Sequence, residues 1–175
     1  MRGGSGANRN ASGAGTCSTS AQHMRRLAAM PETPANIDDF NKIVGLIFAQ
    51  LYRAFPAPVD IDRHAIARAL GVPDGEWPTY AMPSGRTFYD LLSNTIGWLQ
   101  LEGYTKYFGD YPAENVILTT KGLQAMNAVP SPLKERVGVE LQRAAGGSSG
   151  THDWSRIGDL IGGIFGGYTK SMGSG

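Results

Sequence analysis

The chain has 175 residues, of which 18% are charged and 24 are glycine, and its formal net charge is +1. A chain of this length can bury one substantial core. Its near-zero charge sets it apart from the strongly basic nucleic-acid-binding proteins. No stretch reaches the roughly eighteen apolar residues that a membrane span needs, so we expect neither a transmembrane helix nor secretion.

The single cysteine, Cys17, lies in a Gly- and Ser-rich leader, which excludes an intramolecular disulfide and a thiolate metal cluster. This cysteine usage is typical of a reducing compartment and predicts a cytoplasmic protein. We expect residues 1–35 to be a disordered leader, and residues 1–23 have the composition of a cloning-derived extension. The predicted folded domain spans residues 36–145.

A long first helix is predicted after this leader, with Asn36 or Asp38 as its capping residue. Pro56 and Pro58 end it. Its apolar residues recur at three- and four-residue spacing and also occupy other sides of the helix: Phe40, Ile43, Val44, Leu46, Ile47, Phe48, Leu51, Tyr52 and Phe55. Such a helix is either central in the domain or shared with a second subunit.

A short second helix and a long loop follow. Asp62 is placed to cap a helix over residues 63–70, and Gly71 ends that helix. Residues 72–84 contain three prolines and two turn-forming residues, a composition typical of a loop.

A third helix is predicted to begin near Ser84 or Gly85 and to end at Gly103. One face is apolar and predicted to be buried: Phe88, Leu91, Leu92, Thr95 and Leu99. The opposite face is polar and predicted to be exposed: Arg86, Tyr89, Asp90, Ser93, Asn94, Gly97 and Gln100.

Residues 104–108 and 115–120 have the composition of strands, and the six residues between them, Gly-Asp-Tyr-Pro-Ala-Glu, have that of a turn. This order predicts a β-hairpin after the third helix, and the fold class is α+β, mostly α. Ser131 and Pro132 are expected to start another helix, which ends at Gly146. Residues 146–152 read as a flexible linker.

Residues 153–172 form a glycine-zipper-like amphipathic segment, and residues 173–175 are expected to be disordered. The bulky face of this helical pattern comprises Trp154, Ile157, Leu160, Ile161, Ile164, Phe165 and Tyr168. Five glycines inside a helix cost roughly 4 to 5 kcal/mol relative to alanine, so the segment needs a surface on which to dock. Four surfaces remain open: its own domain, a second copy, a partner protein or, least favoured, a membrane surface.

Two motifs, "LEGYTKY" at 101–107 and "VILTTKGLQAM" at 116–126, resemble the run from recognition helix to wing in the winged helix-turn-helix superfamily. Over about residues 37–129 the sequence is most similar to MarR- and PadR-type regulators. The resemblance implies a three-helix core with a hairpin wing, and the pattern of the chain adds a C-terminal helix and a glycine-rich tail. The resemblance also implies a DNA-binding transcription regulator, for which we expect a dimer formed through the first and C-terminal helices.

In that family the third helix enters the major groove and the wing contacts phosphates. The resemblance therefore implies DNA contact by residues on the third helix and the wing: Arg86, Tyr89, Ser93, Asn94 and Lys106. Arg63 and Arg68 of the second helix are further candidates for the same contact. Residues 35–130 contain seven Lys or Arg and ten Asp or Glu, a net charge of −3. This acidity, the long loop and Asp110 with Glu114 in the wing favour the alternative, a winged helix that binds protein through the C-terminal segment.

Catalytic chemistry is not indicated by any local motif. The three histidines, His23, His64 and His152, are far apart in sequence from a nucleophile or metal-ligand partner. Asp60 and Asp62 precede a helix, which is the pattern of capping rather than of acid-base work. We expect no enzyme, no cofactor, no metal and no small-molecule substrate.

Overall fold

The computed structural model describes residues 33–128, 135–146 and 152–171, with side chains as far as Phe165 in the last range. Nearly all of the predicted leader, most of the predicted linker and residues 173–175 lie outside these ranges. The described residues form six helices and one antiparallel hairpin, so the α+β, mostly helical class is confirmed.

The helices and strands follow one another in the order α1 Ala35–Ala54, α2 Arg63–Ala69, α3 Phe88–Leu101, β1 Thr105–Tyr107, β2 Val116–Leu118, α4 Thr120–Asn127, α5 Val137–Ala145 and α6 Trp154–Ser171. The helix predicted to start at Ser131 begins at Val137, because residues 135 and 136 are described and are not helical. Residues 129–134 lie outside the description.

Helix α1 is the central element of the domain. It packs against α2, α3, α4, α5, α6 and β2. Ile43, Val44, Ile47 and Phe48 are all fully buried within it. Of the two interpretations of its apolar surface, a central position in the domain is therefore the one that applies to this chain.

The start of α1 differs from the prediction. The helix begins at Ala35 after Pro34, and no side chain caps it. The carbonyl oxygen of Pro34 accepts from Ile37 N at 2.9 Å and from Asp38 N at 3.0 Å, which closes the first turn. Asp38 instead forms an ion pair with Lys42 one turn later, at 2.6 Å.

Side chains cap the next two helices. Asp62 accepts a hydrogen bond from Ala65 N at 2.8 Å, which confirms the predicted cap of α2. The predicted start of α3 near residue 84 is wrong, because Ala81 and Thr87 form a β-bridge that holds the chain out of the helix. Thr87 then caps α3 by accepting from Asp90 N at 3.1 Å.

The predicted hairpin is confirmed. Thr105 pairs with Leu118, Lys106 with Ile117 and Tyr107 with Val116 in antiparallel register. Val59, in the segment between α1 and α2, adds a third partner. Its N–H donates to Val116 O at 3.0 Å, and Val116 N–H donates back to Val59 O at 2.8 Å. These two bonds tie the hairpin to the segment between α1 and α2.

Helix α6 docks on α1 of its own chain. Ile157 and Ile161 are fully buried, and Leu160 and Ile164 nearly so. Gly45 in α1 makes the approach possible, because a Cβ at that position would collide with Ile157 Cγ2. Of the four candidate docking surfaces, the structure shows the chain's own domain.

An aromatic cluster and an ion pair extend this attachment. The Phe165 ring lies 5.1 Å from that of Trp98 and 5.4 Å from that of Tyr104. Arg156 Nη2 donates to Glu140 Oε2 of α5 at 2.7 Å. This hydrogen bond is the main reason that the pKa of Glu140 lies below its ordinary value. The last helix is therefore held by apolar, aromatic and ionic contacts.

Within the described ranges, the helices are all too short or too polar to cross a bilayer.

Candidate binding surface

The exposed face of α3 is where the sequence predicted it. Tyr89 is 44% exposed, and Ser93, Asn94 and Gly97 are also exposed. Helical periodicity explains this outcome, because the buried residues of α3 recur at three- and four-residue spacing along one side of the helix. The Asp90 side chain accepts a hydrogen bond from Thr87 Oγ1 at 2.7 Å, which fixes a carboxylate on this face.

A cavity of about 500 Å³ separates α2 and α3 from the hairpin loop. It brings together three of the predicted nucleic-acid contacts, Arg63, Tyr89 and Ser93. Tyr111 and Glu114 of the hairpin loop line its other side. The cavity thus combines one cationic and one anionic side chain with two tyrosines.

Two further candidates, Arg86 and Asn94, line a separate cavity of about 510 Å³ beside the N-terminal turn of α1. Lys106 is exposed on β1, and Arg68 lines a third cavity between α1 and α2. The seven predicted nucleic-acid contacts are therefore divided among three cavities and the hairpin rather than assembled in one.

The charges on this side of the molecule are mixed. None of the predicted cationic contacts, Arg63, Arg68, Arg86 and Lys106, forms a salt bridge with another described residue. Asp110 is exposed in the hairpin loop, and Glu114 is half-buried there. A duplex approaching α3 and the hairpin together would meet carboxylates as well as cations.

The hairpin loop is fixed to the helices around it. Gln100 Nε2 of α3 donates to Pro112 O at 2.6 Å. Asp60 Oδ1 accepts from Asn115 N at 2.9 Å. Ile61 N donates to Ala113 O at 2.9 Å. Because α3 and the segment between α1 and α2 both hold the loop, its backbone has a defined position relative to α3.

Sequence reasoning missed a group of exposed apolar side chains on the same elements. Phe108 is 71% exposed, Tyr111 64% and Tyr107 43%, and Leu101 at the end of α3 is 84% exposed. The signal was present in the aromatic-rich "YTKYF" stretch. The hairpin has two strands plus one bridge, so the outward side of β1 has no layer to cover it.

The predicted protein contacts on α6 lie elsewhere. Ile157, Leu160, Ile161 and Ile164 are buried in the chain's own core, and Phe165 packs in the aromatic cluster. Trp154 is half-buried, with Lys42 Nζ 5.8 Å from its ring centroid. The side chain of Tyr168 lies outside the described residues. The bulky face of α6 is thus occupied by α1.

Among the described residues, no three His, Cys, Asp or Glu side chains converge in the way that a metal site requires. The chain matches no protein-family model, no curated protein and no solved structure.

Proposed function

We propose that this chain is a non-catalytic winged-helix-type domain that binds a protein partner through the exposed side of α3 and the hairpin. The observation that carries the proposal is the concentration of exposed aromatic side chains there. Tyr89, Tyr107, Phe108 and Tyr111 are each at least 43% exposed. Aromatic residues are enriched at protein interfaces, since they bury a large area with few rotatable bonds.

The order of elements supports the winged-helix part of the proposal. Helices α1, α2 and α3 precede an antiparallel hairpin, and Val59 between α1 and α2 pairs with β2. Under this proposal the hairpin is the wing and α3 is the recognition-type helix. Helix α6 adds a further layer against α1.

Charge favours protein over DNA as the partner of this surface. Non-specific affinity for DNA comes mainly from neutralising phosphates with Lys and Arg. Here Asp90 lies on α3, and Asp110 and Glu114 lie in the hairpin loop. Each carboxylate would repel phosphates at α3 and the hairpin loop, the two elements that would have to contact the DNA backbone.

DNA binding is the second candidate, favoured by the absence of intramolecular salt bridges to Arg63, Arg86 and Lys106 among the described residues. It predicts retention on duplex DNA at low salt, lost as salt rises. Arg86→Gln or Lys106→Gln would weaken that retention. Absence of retention at every salt concentration would remove this candidate.

Site-specific photo-crosslinking tests protein binding by this surface. It is carried out in the cells that naturally make this protein, so that its own partners are present. A photoreactive phenylalanine analogue replaces Phe108 in one variant and Val139 in a matched control. Val139 lies on α5, away from the proposed surface, and is 37% exposed. We expect a defined protein adduct at position 108 that is absent at position 139.

A second variant sharpens this test. Adding Tyr111→Ser to the position-108 crosslinker should reduce the adduct strongly, because Tyr111 is 64% exposed and lines the adjoining cavity. Since its side chain is exposed, the substitution should leave folding intact. Equal adducts at positions 108 and 139, or an adduct with DNA at 108, would contradict protein binding by this surface.

A further inference from the structure

A cavity of about 450 Å³ lies between α1, α2 and the facing ends of α5 and α6, apart from the surface proposed above. Its polar lining consists of Gln50, Arg53, Arg68 and His152. The rest of the lining is apolar and includes Leu46, Ala49, Ile66, Ala69 and Ala145. A volume of this size is within the usual range for small-molecule sites.

The charge of this cavity is of one sign. Two guanidinium groups, from Arg53 and Arg68, line it together, and no Asp or Glu of the described ranges does so. Neither arginine forms a salt bridge within the part of the chain that the structure describes. Both are exposed, so they are free to close on a ligand.

Two carboxylates lie close in sequence to residues that line the cavity, and both accept helix-capping hydrogen bonds. Asp62 accepts a hydrogen bond from Ala65 N at 2.8 Å and caps α2. Asp153 accepts from Arg156 N at 3.0 Å in the first turn of α6. Neither carboxylate forms a salt bridge with Arg53 or Arg68 among the described residues.

One buried polar atom in the lining lacks a partner. Nδ1 of His152 is buried and has no hydrogen-bond partner among the described residues. An unsatisfied buried group of this kind is costly and calls for a partner. The ring is held in place by Trp154, at a centroid distance of 5.0 Å.

The wall beside the arginines is also fixed. Gln50 Oε1 accepts from Asp62 N at 3.0 Å, and Gln50 Nε2 donates to Asp62 O at 3.3 Å. This pair of bonds ties α1 to the start of α2 along one side of the cavity. The cationic groups therefore stand on a defined, partly apolar frame.

We propose that this cavity binds a small organic acid, with its carboxylate between Arg53 and Arg68 and its apolar body over the half-buried Ala69 and Ala145. Arginine forks match a carboxylate through paired hydrogen bonds. The His152 ring forms part of the same wall. An inorganic anion would pair with the arginines but leave the apolar lining uncovered. The ligand therefore has both an anionic group and an apolar body.

Binding would join three segments of the fold. Arg53 belongs to α1, Arg68 to α2, and His152 stands two residues before α6. A ligand that contacts all three binds the folded chain and not the unfolded one. It should therefore raise the thermal unfolding temperature of the full chain.

Titration calorimetry of the full chain with sodium octanoate, 1-octanol and inorganic phosphate tests the proposal. We expect octanoate to bind with a stoichiometry of one. The other two compounds should bind at least about tenfold more weakly, since 1-octanol lacks the carboxylate and phosphate lacks the apolar chain. Arg53→Gln and Arg68→Gln should each weaken octanoate binding by about tenfold.

Arg136→Gln is the matched control, because Arg136 is exposed at the opposite end of α5 and lines none of the three cavities. It should leave octanoate affinity unchanged. Three results would overturn the proposal: no octanoate binding, equal affinity for octanol or phosphate, or unchanged affinity in both cavity variants.

Discussion

Leu160→Ala is expected to lower the free energy of unfolding by about 2 to 5 kcal/mol. Leu160 is 5% exposed in α6, on the face that packs against α1. Truncation removes apolar area from the core and leaves a cavity that the neighbouring side chains fill only in part. Urea denaturation followed by circular dichroism measures the change.

Leu101→Ala provides the matched control for this loss. The same substitution is made in a helix, but Leu101 is 84% exposed. Its effect should stay within about 0.5 kcal/mol. If the two variants unfold at the same urea concentration, α6 does not contribute its apolar face to the core of this chain.

Gly122→Ala is the second substitution with a large expected effect, a loss of about 1 to 3 kcal/mol. A Cβ at this position would collide with the backbone oxygen of Tyr104 and lie 3.0 Å from Leu118 Cδ2. Backbone cannot move aside as a flexible side chain can. Gly122 N also donates to Thr119 Oγ1 at 3.2 Å, so a shift would disturb the cap of α4.

Gly97→Ala is the control for Gly122→Ala. Gly97 lies on the exposed face of α3, and nothing is within 4 Å of a Cβ built there. Alanine should stabilise this helix by up to about 1 kcal/mol relative to glycine. A Gly122→Ala variant as stable as the wild type in thermal unfolding would contradict the close approach of α4 to the hairpin.

The contrast between these glycines gives a physical reason for the "LTTKG" motif. Thr119 Oγ1 donates to Gly103 O at 2.6 Å and accepts from Gly122 N. One hydroxyl thus joins the end of α3 to the start of α4, and glycine lets the two backbones meet. The motif is explained by packing, and it carries no information about what the chain binds.

Local signals made the hairpin and the cap of α2 predictable. The turn composition of residues 109–114 and the carboxylate of Asp62 act within a few residues of the structure that they specify. The start of α3 was not predictable in this way. It depends on the bridge between Ala81 and Thr87 and on the turn between them, where Gly85 has a φ of +79°.

Tertiary contacts account for what the sequence left open. The periodicity of α6 specified an apolar face, but its place on α1 depends on Gly45, far away in the chain. Similarly, Ser93 and Asn94 were both predicted to be exposed, and both are. They line different cavities, because the hairpin loop closes one side of α3 and α1 closes the other.

The proposed surface depends on α6 being used within the chain. If α1 already covers the bulky face of α6, the exposed apolar side chains of α3 and the hairpin become the main surface for a partner. Phe108 and Tyr111 are held by the same loop contacts that fix Pro112 and Asn115. Such a preformed surface would lose little conformational entropy on binding.

Hydrogen exchange at the α6 amides tests this account most directly. Measured by mass spectrometry on the dilute full chain, the segment that contains Ile157, Leu160 and Ile161 should be strongly protected, to an extent independent of protein concentration. Exchange at the rate of an unfolded peptide, or protection that appears only as the concentration rises, would show that α6 does not dock on its own domain.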